Sequence, residues 1–183
     1  MKSRLVIATI LASIMSVAAA GRARAQDGGL KIQIGGGAAI PVGRFDTTYT
    51  SGPAGLVAIS NGGSESPLGL RLDYSYNGFK GKTIAGRRYR DAHMNVVTGD
   101  VVFSLHTGPY IKPYVLGGAG WYPYREAGDT KRRNDWGANI GAGLTFPLPF
   151  SPAGGFLEAR LHRVFGGGVQ ARRFVPIVLG VTL

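Results

Sequence analysis

Asp100, Ser104 and His106 stand at even spacing in one stretch of chain and carry the three side-chain types of a hydrolase triad. Nucleophile, base and orienting carboxylate must each reach the next within ~3 Å. In an extended strand, six residues at ~3.3 Å each put Asp100 roughly 20 Å from His106, so the three cannot act as a unit. A polar strand end is the simpler reading, and we expect no catalytic residue here. Glu158, Arg160 and His162 also recur at intervals of two. A carboxylate and an imidazole could exchange a proton, but the arginine between them is the natural partner of the glutamate. His93, His106 and His162 lie on separate segments without metal-ligand spacing, and no cysteine supplies a thiolate, so no metal or cofactor is expected. Gly81-Lys82-Thr83 matches the end of a phosphate-binding loop, yet Tyr76 stands where its first glycine is required.

The elements that carry these residues are strands. Thirty glycines and ten prolines in 183 residues argue against helices, where each interior glycine costs ~1 kcal/mol relative to alanine. A hydrophobic content of 44% excludes a disordered polyelectrolyte, and the length suits one domain. Apolar residues alternate with polar ones or glycines: Leu68, Leu70, Leu72, Tyr74 and Tyr76; then Trp136, Ala138, Ile140, Ala142, Leu144 and Phe146; then Leu157, Ala159, Leu161 and Phe165. A period of two marks strands with two different faces. The pattern predicts eight strands at 30–42, 55–60, 67–79, 94–105, 110–124, 135–146, 155–165 and 174–183, the second of them starting earlier than its clear part. Most exceed the ~5–6 residues of soluble strands and reach the ~9–11 that a tilted membrane strand requires. Connections alternate between long and short at first, as when one end of a barrel carries loops and the other turns. Pro41, Pro113 and Pro176 oppose a closed sheet, but each lies within a few residues of a strand end, where a lost ladder bond costs least.

Residues 1–25 read as an export signal. Lys2 and Arg4 precede an uncharged run from Leu5 to Ala20, and Ala23-Arg24-Ala25 offers a small-x-small cleavage site, with Ala18-Ala19-Ala20 as a rival. The domain then spans 26–183. No later stretch is apolar enough for a membrane helix.

Which face is wet separates a soluble barrel of the lipocalin type from a membrane barrel. The polar face collects Lys31, Arg71, Asp73, Asp100, Lys112, Glu158, Arg160 and His162. Four cations against three carboxylates is the near-balance an enclosed lumen needs, because unpaired buried ions cost several kcal/mol each. On the apolar face, Tyr76, Trp121, Trp136 and Phe165 fall at one end of their strands, and Phe103 and Phe146 at the other. Two aromatic belts suit two membrane interfaces.

With Gly35-Gly36-Gly37-Ala38, the strand 68–76, the segment Pro113-Tyr114-Val115-Leu116-Gly117-Gly118-Ala119-Gly120 and the alternating last strand, residues 29–183 resemble the small eight-stranded outer-membrane β-barrels of the OmpA/OmpX type. The resemblance implies an all-β, antiparallel, up-and-down transmembrane barrel in a bacterial outer membrane, with both termini periplasmic. It implies assembly through periplasmic chaperones and the barrel-assembly machinery, which in that family reads a terminal aromatic residue; this chain has Leu183. Family members of this size include structural anchors, adhesion or defence proteins and a few lipid A-modifying enzymes. We expect a monomer with a structural or surface-interaction role; a lipid A enzyme and a narrow channel are the rival readings.

The basic runs give that role a chemistry. Lys80, Lys82, Arg87, Arg88 and Arg90, then Lys131, Arg132 and Arg133, then Arg172 and Arg173, all fall in connections at one barrel end. Lys and Arg outnumber Asp and Glu 21 to 10, but export and the absence of a recognition helix argue against nucleic acid. Outer-membrane lipids, lipopolysaccharide among them, are the expected anionic partner, because guanidinium forks match phosphate geometry.

Overall fold

The computed structural model describes residues 29–61, 67–105, 110–128, 133–166 and 172–183. The expected export segment, His106, Lys131 and Arg132 lie outside them. Eight long strands follow one another: β1 Lys31–Val42, β2 Tyr49–Asn61, β3 Leu68–Gly81, β4 Ala92–Ser104, β5 Lys112–Glu126, β6 Arg133–Pro147, β7 Gly154–Val164 and β8 Arg172–Thr182. Each pairs antiparallel with its chain neighbours, and β8 closes on β1 from Gln33↔Thr182 to Val42↔Arg173. The result is an up-and-down barrel without a free edge. β1 starts and β8 ends at the same end, here the terminal end; the opposite end is the loop end.

All eight expected strands are present, and they differ from the pattern mainly by running further. β2 begins at Tyr49, β3 continues to Gly81, β5 reaches Glu126 and β6 starts at Arg133. The connections 43–48, 82–91, 127–132 and 165–171 at the loop end are therefore shorter than the alternation of polar and apolar residues suggests. β2 hides its start because Pro53 interrupts it: the register with β3 shifts between Ser51 and Ala54, which spares the ladder the donor that proline lacks. Pro176 keeps its partner Ala39 on β1, while Val175 and Pro176 drop out of the pairing with β7. A small hairpin, Thr83–Ile84 against Arg87–Arg88, stands on the β3–β4 connection.

The two faces separate as the period of two requires. Leu68, Leu70, Leu72, Ile140, Ile177 and Leu179 point outward and are exposed, while their strand neighbours Arg71, Asp73, Asn139 and Val178 are buried. An apolar wall that stays exposed around a polar interior inverts the soluble arrangement. No helix among the described residues is long and apolar enough to cross a membrane, so any crossing is by strands. Glycines make the interior possible. A Cβ at Gly141 would sit 2.7 Å from Arg160 Cγ, one at Gly137 would sit 2.7 Å from the Tyr122 ring, and one at Gly143 would run into the Tyr114 ring and hydroxyl. The glycine alternation of β6 is thus the floor on which large side chains from β5 and β7 lie.

Candidate functional site

At mid-height the interior holds a closed ionic cluster. Arg160, from β7, donates from Nε to Glu158 at 2.6 Å, from Nη1 to Asp73 at 3.0 Å and Asp100 at 3.1 Å, and from Nη2 to Asp73 at 3.0 Å. Arg71, from β3, donates from Nε to Asp73 and from Nη1 to Glu158, both at 2.7 Å. Thr98 and Asn139 donate to Asp100 at 2.9 and 2.7 Å, Asn139 to the one carboxylate oxygen no arginine reaches, and Tyr114 donates to Glu158 at 2.6 Å. The charged side chains are at most 4% exposed. Burial at that depth strengthens each ion pair but requires that every charge keep its partners.

Lys31 and Lys112 do not join this cluster, contrary to the expectation from their parity. Each is the first residue of its strand, exposed at the terminal mouth. The buried set is therefore two guanidiniums against three carboxylates, one formal negative charge from balance. His162 also stands apart: its Nδ1 is 2.9 Å from the Tyr122 hydroxyl and its ring stacks on Phe174 at 4.7 Å. Glu158 and His162 are thus not an acid–base pair, because Arg160 takes the carboxylate. Ser104 lines the terminal mouth while Asp100 is in the cluster, so the strand separates them as the spacing requires. Among the described residues no group of three or more potential ligands could hold a metal.

Above the cluster, towards the loop end, the interior becomes aromatic. Phe45, Tyr49, Phe79, Tyr122, Tyr124 and Phe174 are all buried there with Met94 and Val96. Phe45 enters from a short 3-10 turn, Gly43–Phe45, whose first residue takes a left-handed φ of 65° that favours glycine. It meets Tyr49 at 4.8 Å and Phe79 at 4.9 Å, and Phe79 meets Phe174 at 5.4 Å. Tyr49 and Tyr124 share a 2.7 Å hydroxyl hydrogen bond, and their oxygens lie 3.2 and 3.1 Å from Glu126 Oε1, which accepts from the hydroxyl left free to donate. The expectation of a polar lumen holds at the height of the ionic cluster and not here. Phe79 and Phe174 fall on the inward parity of their strands, a signal that a search for charges passes over.

The loop-end cations divide into two sets. Lys82 pairs with Asp46 at 3.0 Å and also donates to its carbonyl, and Arg90 donates to the Ala127 carbonyl at 3.4 Å. Arg172 is drawn inward, 2.8 Å from Asp135 and 4.3 Å from the Tyr124 ring centre, which removes it from the expected surface set. Lys80, Arg87, Arg88, Arg133 and Arg173 are exposed. Arg163, which interrupts the apolar alternation of β7, lies directly opposite Arg173 on the outer wall, with its guanidinium 5.8 Å from the Phe165 ring centre. Like charges placed directly opposite destabilise a sheet unless an anion joins them.

Beneath these cations the outward aromatics form one ring: Tyr76, Trp121, Trp136 and Phe165 are exposed, with Trp121 and Trp136 directly paired. At the terminal end Phe103 is exposed and Phe146 lies half-buried over Gly155. From Trp136 to Phe146 the strand advances ~33 Å at ~3.3 Å per residue, which a tilt of ~40° reduces to ~25 Å, the height of an outer-membrane apolar band.

A family model described as outer membrane protein beta-barrel domain matches residues 8–156. A comparison with curated protein sequences finds no match. Among solved structures, Neisserial surface protein A aligns with a TM-score of 0.62 at 15% identity, covering 84% of this chain and 96% of that one. A major outer membrane protein from Thermus thermophilus aligns at 0.54 and 14% identity over 84% of this chain and 98% of that one. OprG from Pseudomonas aeruginosa aligns at 0.52 and 13% identity over 84% and 93%. At these identities the likeness is one of fold. The chain belongs to the outer-membrane β-barrel family, and its place is the bacterial outer membrane.

Proposed function

We propose that this barrel is a structural or surface-interaction protein whose plugged lumen conducts little and whose loop-end cations hold anionic lipid of the outer leaflet. In this reading residues 1–25 direct export, both termini are periplasmic and the loop end faces outward. The observation that carries it is the outer wall beside the aromatic ring. Lys80, Arg163 and Arg173 are exposed there, and among the described residues none of the three has a carboxylate within ion-pair distance. A phosphate between Arg163 and Arg173 turns a repulsive cross-strand pair into two charge-assisted contacts, and the neighbouring rings exclude water from it. Arg87 and Arg88 on the small hairpin extend the same field further out, where salt screens it more.

The test measures energy transfer from Trp121 and Trp136 to a labelled lipid A and to a labelled neutral phospholipid in mixed micelles, across a salt series. The wild type should prefer lipid A at low salt. Lys80, Arg163 and Arg173 replaced together by Gln should abolish the preference and its salt dependence, while Arg87 and Arg88 replaced by Gln should only weaken it. Absence of any preference in the wild type at low salt overturns the lipid role. A large, stable single-channel current from the purified protein overturns the plug.

A further inference from the structure

The lumen is asymmetric: packed with aromatic rings at the loop end and open at the terminal end. There a cavity of about 570 Å³ reaches inward from the mouth as far as Arg71. We propose that this vestibule is a binding site for a small phosphate-bearing anion.

Charge is the first argument. Lys31 on β1 and Lys112 on β5 stand half-way round the barrel from each other and both line the cavity, with Arg71 of β3 in its wall. No Asp or Glu is among the described residues that line it. The nearest carboxylates, Asp73 and Glu158, are spent on the two arginines of the cluster. Neither lysine has a carboxylate partner within ion-pair distance among the described residues.

The second argument is an unfinished hydrogen-bond account. Arg71 is bonded through Nε and Nη1, but its Nη2 has no partner although the side chain is 2% exposed. Buried donors in native proteins are almost always satisfied, so the Arg71 end of the cluster, which borders the cavity, is one acceptor short although the nitrogen itself is covered. Cations arriving from three separate strands suit a tetrahedral oxyanion, which presents oxygens in several directions, better than a planar carboxylate. The volume falls in the range of small-molecule sites, and Val102, Pro147 and Pro152 give the lining an apolar part that could hold an organic substituent. Since the aromatic plug closes the far side, the vestibule is a dead end that retains a ligand and not a conduit.

The experiment is calorimetric titration of the folded chain in neutral detergent with inorganic phosphate and with phenyl phosphate, using benzyl alcohol as the uncharged control. Wild type should bind both anions and not the alcohol, with an affinity that falls as salt rises. Replacing Lys31 and Lys112 together by Gln should lower phosphate affinity about tenfold or more, and each alone by less. Both lysines are exposed, so the barrel should persist, which the mobility of the unboiled protein on a detergent gel checks; Lys112→Arg should keep binding in any case. Arg87 and Arg88 replaced by Gln should leave the Lys31- and Lys112-dependent part of the binding unchanged, which separates this site from the outer-leaflet lipid surface and distinguishes free phosphate from a lipid headgroup. No phosphate binding by wild type, binding unaltered in the double variant, or binding lost in the Arg87/Arg88 variant overturns the proposal.

Discussion

Replacing Arg160 with Met should be among the most damaging single changes available in this barrel. Arg160 makes four bonds to three carboxylates. Without it, Arg71 alone faces Asp73, Asp100 and Glu158, and the buried set moves from one to two formal charges away from balance. Removing one partner from a buried ion pair costs about 3–5 kcal/mol, because the remaining charge stays desolvated. The charge count predicts a gentler outcome on the other side. Asp100→Asn leaves two guanidiniums against two carboxylates. The Asn139 amide, whose Oδ1 is unpartnered, can turn to accept from the new amide, so the loss should stay within about 1 kcal/mol. Glu158→Gln also balances the count but sets an amide donor against donors from Arg71 or Arg160, and should cost about 2–3 kcal/mol. The assay is urea titration of the protein folded into neutral-lipid vesicles, followed by the gel mobility of the unboiled band. Arg160→Met within about 1 kcal/mol of wild type, or Asp100→Asn as the most harmful of the three, refutes the reasoning.

Two further outcomes test the packing and the placement. Gly143→Val should cost about 1–3 kcal/mol or block assembly, since its Cβ enters the Tyr114 ring, whereas Gly36→Ala, with its nearest neighbour atom at 3.8 Å on the outer wall, should be neutral or stabilising by about 0.5 kcal/mol; urea titration of both variants ranks them. The paired Trp121 and Trp136 should be quenched more by lipids brominated near the headgroup than at mid-chain, and equal quenching by the two would place the ring away from the interface.

The sequence alone determined the strand count, the two faces and the inversion of polarity. These follow from a period of two that each strand carries locally: Leu68 to Tyr76 and Trp136 to Phe146 declare their outward side without reference to any neighbour. It determined less well where strands begin, because Pro53 breaks the alternation of β2 and only pairing with β3 shows that a shifted register absorbs it. Parity says which side a residue faces but not how high in the barrel it sits or what lies across from it. Arg71 and Lys112 share the inward side, yet the tertiary structure buries one in the cluster and leaves the other at the mouth. Arg163 and Arg173 belong to different alternations, and only the β7–β8 register sets them face to face. The near-balance of charge in the interior, the aromatic packing towards one end and the cavity at the other are properties of eight strands meeting. Each depends on which side chains cross onto which glycine of the next strand, a relation between elements that no single stretch of sequence contains.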